Sequence, residues 1–287
     1  MKVCYRLILA GIAALWLMSC DNFEYHPYSV KLYGDNDINT RAIAQLENSG
    51  LKRPFRFAFI TDTQGSLDEM SEALDIIKSR GDIDFMVHGG DMTDFGLPKE
   101  YLWSRDILGG CGLPYVTVIG NHDCLGNGED TFDWMFGPEN FSFNVGGVHF
   151  VGLNTVALEY DYSRPVPDFD FIESDCDAVA AINAERPDSI DRTIVVMHSR
   201  PYDEQFNNNV AKPFNHYLAA YPGMDEGQTG SDGRLKGFCI NGHNHQTDIL
   251  DIFGNGMLYY QCANMGKRAF FVFTITDEGY DCEEVVF

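Results

Sequence analysis

Two kinds of apolar pattern alternate along the chain. Phe55–Ile60, Ile83–Val87, Tyr115–Ile119, Thr193–Val196 and Lys236–Ile240 are short, nearly unbroken apolar runs and read as strands. Between the first two, Leu67, Met70, Leu74 and Ile77 form a stripe at helical spacing, so the pattern predicts a helix over Ser66–Arg80. Ser66 with Glu69 has the form of a capping box. A second helix is expected from Leu97 to Leu108, with Pro98 in its first turn. Phe141–Asn144 and Val148–Asn154 flank Gly146-Gly147 as a hairpin does. Residues 170–185 are amphipathic and helical. Residues 200–235 are rich in Asn, Pro, Gly and Asp around a short helical piece, Val210–Ala220, and form the natural candidate for a substrate-shaping loop. Met257–Tyr260, Phe270–Ile275 and Glu283–Phe287 read as further strands. The expected class is α/β with parallel pairing, and no internal repeat or low-complexity tract interrupts it.

The N-terminus departs from this pattern. Lys2 and Arg6 precede an apolar run, Leu7 to Met18, shorter than the 20 or so residues that span a bilayer. It fits the apolar region of a secretory signal. Leu17-Met18-Ser19-Cys20 resembles the bacterial lipoprotein cleavage box, in which the Cys becomes the lipidated first residue; an ordinary cleaved signal with an incidental Cys is the alternative. The expected organisation is a signal peptide over 1–19, a polar tether over 20–53 with one short helix near Arg41–Glu47, and one domain over 54–287. Such a protein is exported and lipid-anchored to a bacterial membrane, on the periplasmic side or the cell surface.

Composition narrows the partners. The 287 residues suffice for a sizeable core, and 45% apolar with 22% charged residues is ordinary for a globular protein. A formal net charge of -23 repels phosphate backbones and argues against nucleic acid as a bulk polyanion. A small phosphorylated substrate stays compatible, because bound cations invert the local field. Cys111, Cys124, Cys176, Cys239, Cys262 and Cys282 are scattered without a Cys-x-x-Cys pair, so no zinc knot is suggested. Export would permit disulfides, and small buried apolar roles are as plausible, above all for Cys239.

The chemistry is concentrated in five runs, each following a predicted strand: Asp62-Thr63-Gln64, Gly90-Asp91-Met92-Thr93-Asp94, Gly120-Asn121-His122-Asp123, Met197-His198 and Gly242-His243-Asn244-His245. In open α/β sheets, ligands bind at that strand edge. Steps of about thirty residues from Asp62 to Asp91 to Asn121 match one β-α-β unit each. Asp62, Asp91, Asn121, His198, His243 and His245 offer carboxylate, amide and imidazole ligands without soft thiolates, which suits Mn, Fe or Zn better than copper. The set is too large for one tetrahedral ion. It suits two ions about 3.5–4 Å apart that share a carboxylate, the arrangement for in-line displacement at phosphorus with a bridging hydroxide as nucleophile.

The order of these runs resembles that of the calcineurin-like metallophosphoesterases over roughly residues 55–275. The resemblance implies a β-sandwich of two mixed sheets flanked by helices, with a dimetal site at the strand ends. It implies that Asp91 bridges two divalent metal ions, that Asp62, Gln64 and His245 complete one site, and that Asn121, His198 and His243 complete the other. His122 would protonate the leaving oxygen, and Asp94 would orient His122. Gln64 stands where the family usually has His; members such as the manganese-dependent ADP-ribose/CDP-alcohol diphosphatases carry Gln there. Phe95-Gly96 lacks the Arg that the Ser/Thr protein phosphatases place before the Gly, which speaks against that branch.

Other residues have plainer readings. His88 and His149 lie in strands and read as satisfied core histidines, whereas His216 falls in the variable insertion. Asp123 and Asp248 can support ligands or simply cap turns. Arg200 can meet phosphate or a surface carboxylate. Tyr259-Tyr260 and Phe270-Phe271 read as strand core. The functional expectation is hydrolysis of a phosphodiester, diphosphate or phosphomonoester of a small molecule, against a metal-binding lipoprotein with lost turnover.

Overall fold

The computed structural model describes residues 26–160 and 163–287. The signal peptide and Cys20 lie outside the described residues. Among the described residues eleven strands form two sheets. The first holds β1 (Phe55–Ile60), β2 (Phe85–His88), β3 (Tyr115–Thr117), β10 (Ala269–Ile275) and β11 (Tyr280–Val286), in the order β11-β10-β1-β2-β3. The second holds β4 (Phe141–Val145), β5 (Val148–Leu153), β6 (Arg192–Met197), β7 (Phe238–Asn241), β8 (Asp248–Leu250) and β9 (Tyr259–Gln261), in the order β4-β5-β6-β7-β9-β8. Both sheets are mixed. β1-β2-β3 and β5-β6-β7-β9 run parallel, while β10, β11, β4 and β8 pair antiparallel at the flanks. This is the expected α/β sandwich. The unbroken apolar runs have a physical reason: β2, β3, β5, β6 and β7 are buried at every residue.

Aromatic rings fill the space between the sheets. Phe57 stacks on Phe85 at 5.4 Å and on Phe273 at 5.1 Å, and Phe143 stacks on Phe150 at 4.9 Å. Offset contacts of this kind add to plain area burial. Tyr259, Tyr260, Phe270 and Phe271 are buried core, as expected. Helices α2 (Leu67–Arg80), α3 (Pro98–Gly110) and α4 (Gly128–Phe136) cover the first sheet. Helices α5 (Phe169–Glu185) and α6 (Ala211–Leu218) cover the second.

Three expectations need correction. Residues 20–53 are not a tether throughout: α1 (Ile38–Asn48) buries Ala42 and Leu46 in the core between the sheets. Asn39 on this helix exchanges both of its amide hydrogen bonds with the backbone of Thr117 on edge strand β3, at 2.8 and 2.9 Å. The Ser66–Glu69 capping box does not form. Ser66 sits at φ -134, ψ 43 without a side-chain bond to the helix, outside the extended geometry that a cap needs. The insertion 200–235 divides. Residues 200–210 stay at the end of β6, whereas α6 carries the chain back, so that Gly223 packs on Arg192 at the start of β6.

All six cysteines from Cys111 to Cys282 are free thiols, and Cys239 is a buried strand residue. Among the described residues no helix is long and apolar enough to cross a membrane.

Candidate metal centre

The turns leaving β1, β2, β3, β6 and β7 meet at one edge of the sandwich. Two features of the local sequence build it. The first is left-handed backbone: Asp62, Asp91, His243 and His245 have φ of 51, 57, 71 and 56. They are half of the eight non-glycine residues with positive φ among the described residues. Such conformations cost of order 1–3 kcal/mol each and concentrate at functional sites. The second is glycine. A Cβ on Gly120 would strike the Asp91 carboxylate, one on Gly242 the Asp62 carboxylate, and one on Gly90 would lie 2.9 Å from His198 Nδ1.

All seven expected ligands come together. Asp62, Asp91 and His198 are buried and offer ligand atoms within 4.8 Å of one another. His198 Nε2 is 3.2 Å from Asp91 Oδ2 and 3.2 Å from Asn121 Oδ1. His243 Nδ1 is also 3.2 Å from Asn121 Oδ1. His245 Nε2 is 3.3 Å from Asp62 Oδ1, and Gln64 Nε2 is 3.3 Å from Asp91 Oδ2. Gln64, Asn121, His243 and His245 are half-buried, so the cluster opens to solvent on one side.

This geometry calls for cations. His198 Nδ1 donates to the carbonyl of Gly89 at 2.8 Å, so in the neutral ring Nε2 is a lone pair. That lone pair faces the acceptors Asp91 Oδ2 and Asn121 Oδ1. Gln64 Oε1 is buried and has no partner. Converging acceptors repel unless a positive charge lies among them. A proton serves in the protein alone. Burial would lower the His198 pKa, but the Asp91 charge and hydrogen bond raise it to about 10. Asp91 is held below the usual carboxylate range by the same pair against its burial. Burial and the His198 charge push His243 down, and the Asp62 hydrogen bond pushes His245 up. A ligating imidazole must be neutral, so a metal ion here displaces the proton. The hard-oxygen and imidazole donors fit divalent Mn, Fe or Zn.

His122 stands beside the cluster. Its backbone N–H donates to Asp91 Oδ1 at 2.9 Å, and its ring Nδ1 donates to the main-chain carbonyl of Asp94 at 2.9 Å. The expectation for Asp94 is corrected here. The peptide carbonyl orients His122, while the carboxylate lies on the wall of a cavity of about 300 Å³ with Glu69 and Trp103. The contact follows from the turn itself, which carries the carbonyl to the ring.

Asp123 is the residue whose weight the sequence understated. It is fully buried and accepts from the N–H groups of Asp91, Met92, Thr93 and Gly120 at 2.8–3.0 Å and from Thr93 Oγ1 at 2.9 Å. It therefore locks the turn after β2 to the turn after β3. Burial and the Asp91 charge raise its pKa to about 7 in spite of those donors. Its position next to His122 was the only signal.

Arg200 pairs with Asp203 at 3.3 Å and donates to Gln261 at 3.1 Å, so it meets a carboxylate, but a buried one rather than the surface one expected. His88 bonds Thr63 and the Gly90 N–H, and His149 bonds Asn144 and Asp175; both are satisfied core residues. His216 is exposed, and Asp248 only turns back on its own strand.

A profile of calcineurin-like phosphoesterases matches residues 55–247. The chain belongs to the calcineurin-like phosphoesterase family. It is thereby a metal-dependent phosphoesterase by class, of a family that uses two metal ions. Solved structures carry the same fold at low identity. A dimetal phosphatase from Danio rerio is 12% identical, with TM-score 0.59, over 80% of this chain and 96% of its own. Purple acid phosphatase PPD1 from yellow lupin seeds is 14% identical, with TM-score 0.58, over 82% of this chain and 52% of its own. GAP50, described as the anchor in the inner membrane complex of Plasmodium, is 15% identical, with TM-score 0.56, over 81% and 84%. Among curated proteins none is similar enough to count as a relative.

Proposed function

We propose that this phosphoesterase hydrolyses a phosphodiester, diphosphate or phosphomonoester bond of a small molecule outside the cytoplasm. The observation that carries the reading is the convergence of Asp91 Oδ2, Asn121 Oδ1 and His198 Nε2, which a metal ion would satisfy with His198 neutral. Asp91 would be shared by two divalent ions, Mn or Fe before Zn. Asp62, Gln64 and His245 would complete one site, and Asn121, His198 and His243 the other. Held by these residues, divalent ions would supply Lewis acidity at the phosphoryl oxygens and lower the pKa of the attacking water.

The protein's own groups do the rest. His122 Nδ1 is engaged by the Asp94 carbonyl, so Nε2 is the atom that carries a proton to the leaving oxygen. Asp123 keeps Asp91 and His122 in register. The acidic surface disfavours nucleic acid as a substrate, and the residues around Cys20 support a lipid anchor at a bacterial membrane. A screen of the Mn- or Fe-loaded soluble domain on p-nitrophenyl phosphate, bis-p-nitrophenyl phosphate and a nucleotide diphosphate tests the reading. Turnover of one of them is expected, and full metal occupancy with none would favour a binding protein that has lost turnover.

A further inference from the structure

Exposed apolar side chains gather beside His122. Phe95 is 61% exposed, Leu125 37% and Tyr28 36%. Phe95 follows Asp94, whose carbonyl holds the His122 ring, and Leu125 donates its N–H to the His122 carbonyl at 3.3 Å. The two turns touch, since a Cβ on Gly96 would strike the Leu125 carbonyl. One residue further on, a Cβ on Gly126 would strike the Tyr28 ring, and Asn127 Nδ2 donates to the Tyr28 carbonyl at 3.3 Å. Three exposed apolar residues, distant in sequence, are thus carried on backbone segments in contact. Contiguous apolar surface of this kind marks contact with a partner.

The path of the chain says which partner. Tyr28 is seated on the turn after β3, and Val30 and Leu32 pack on the core under the helices of the first sheet. The N-terminal segment is therefore fixed to the domain beside the metal edge. Only six residues carry the chain from Cys20 to His26, a reach of at most about 22 Å. A lipid on Cys20 would hold this patch within that reach of the membrane. Aromatic and leucine side chains gain by leaving water for such a surface. The net charge of -23 opposes anionic headgroups, so the matching surface is zwitterionic.

We propose that Tyr28, Phe95 and Leu125 rest on the lipid surface to which the chain is anchored, so that the His122 side of the metal edge lies against it. The inference rests on the Cys20 anchor proposed above and is independent of the hydrolase reading. The test is hydroxyl-radical footprinting of the full chain, made in a bacterial host and reconstituted into phosphatidylcholine vesicles. Ile249 on β8 and Val286 on β11, 52% and 71% exposed, are internal controls, because these strands are the sheet edges opposite β4 and β3. After correction for intrinsic reactivity, Phe95 should label at least about threefold less than Ile249, although it is the more exposed of the two in the protein alone. Phe95→Glu together with Leu125→Glu should lift this face from the lipid and raise the labelling of Tyr28 by about threefold.

Phe95 labelled as strongly as Ile249 on vesicles that carry the chain would overturn the assignment. So would Tyr28 labelling that does not move in the double variant. Flotation of the same vesicles reads the anchor separately. A chain that does not float has no anchor, and the footprint is then repeated with vesicles added in excess. Protection of Phe95 over Ile249 would still support the lipid-facing rim, and equal labelling of the two would overturn it.

Discussion

Gln64 shows how one side chain sets a testable asymmetry. An amide oxygen is a poorer donor to a metal than imidazole, so the ion on the Asp62, Gln64 and His245 side should be held less tightly. Activity of freshly purified protein should rise on adding Mn, and a titration should show two unequal affinities. Gln64→His should tighten the weaker site; unchanged Mn dependence at full occupancy would mean that Gln64 is not a ligand. His122 is tested by leaving group. His122→Asn should leave metal content near normal and cut the rate by about 10²–10⁴, with a smaller loss for good leaving groups. A loss equal across leaving groups would remove the acid role. The carbonyl contact to His122 changes the expectation for its neighbour. Asp94→Asn keeps that carbonyl and should alter the rate little, whereas a loss parallel to that of His122→Asn would restore the carboxylate to the mechanism.

At the scale of elements, strands aim the turns and Asp123 couples them. Its two oxygens take four backbone donors and one hydroxyl from the turns after β2 and β3. Asp123→Asn would turn an NH₂ toward some of those donors. Stranding a buried donor or two should destabilise the fold by about 3 kcal/mol, read as a fall in Tm of roughly 6–12 °C for a domain of this size. Metal affinity should fall with it, since Asp91 loses its anchor. A Tm within about 1 °C of wild type would show that the turns hold without this carboxylate.

The whole molecule is tied at the end opposite the metal edge by a charged cluster. Asp191 bonds Arg53 and Arg192, and Lys236 lies 3.3 Å from it. Arg192 is fully buried and also donates to the carbonyls of Gly279 and Asp277 in the β10–β11 turn, so the two sheets share it. Burial would raise the Asp191 pKa, but the two arginines hold it well below the usual carboxylate range. A depressed carboxylate stabilises the fold above its unfolded pKa of about 4 and loses that contribution as pH falls toward the folded value. Asp191→Asn should therefore cost about 3 kcal/mol at neutral pH, as expected on breaking a buried pair. The gap to wild type should narrow below about pH 4, and a gap constant down to pH 2 in denaturant titrations would contradict this account. At the other extreme of the chain, Cys20→Ser should move the protein from detergent-partitioning to soluble fractions; identical partitioning would remove the lipid anchor.

Much of this was legible in the sequence. Apolar runs mark the strands because buried strands tolerate little else, and the glycine, carboxylate and imidazole runs mark the centre because metal ligation permits few residue types. The sequence alone therefore determined the class of fold, the order of the site-bearing turns and six candidate ligands, with Gln64 added only by the family resemblance. Tertiary structure decided the rest, because those contacts join residues far apart in the chain. It made α1 part of the core by giving Ala42 and Leu46 two sheets to pack against. It engaged the Asp94 carbonyl rather than its carboxylate, and it gave Asp123 five donors from turns that share no local pattern. It also divided residues 200–235 between the metal edge and the opposite end, since a helix lying across a sheet returns the chain to where the next parallel strand must start.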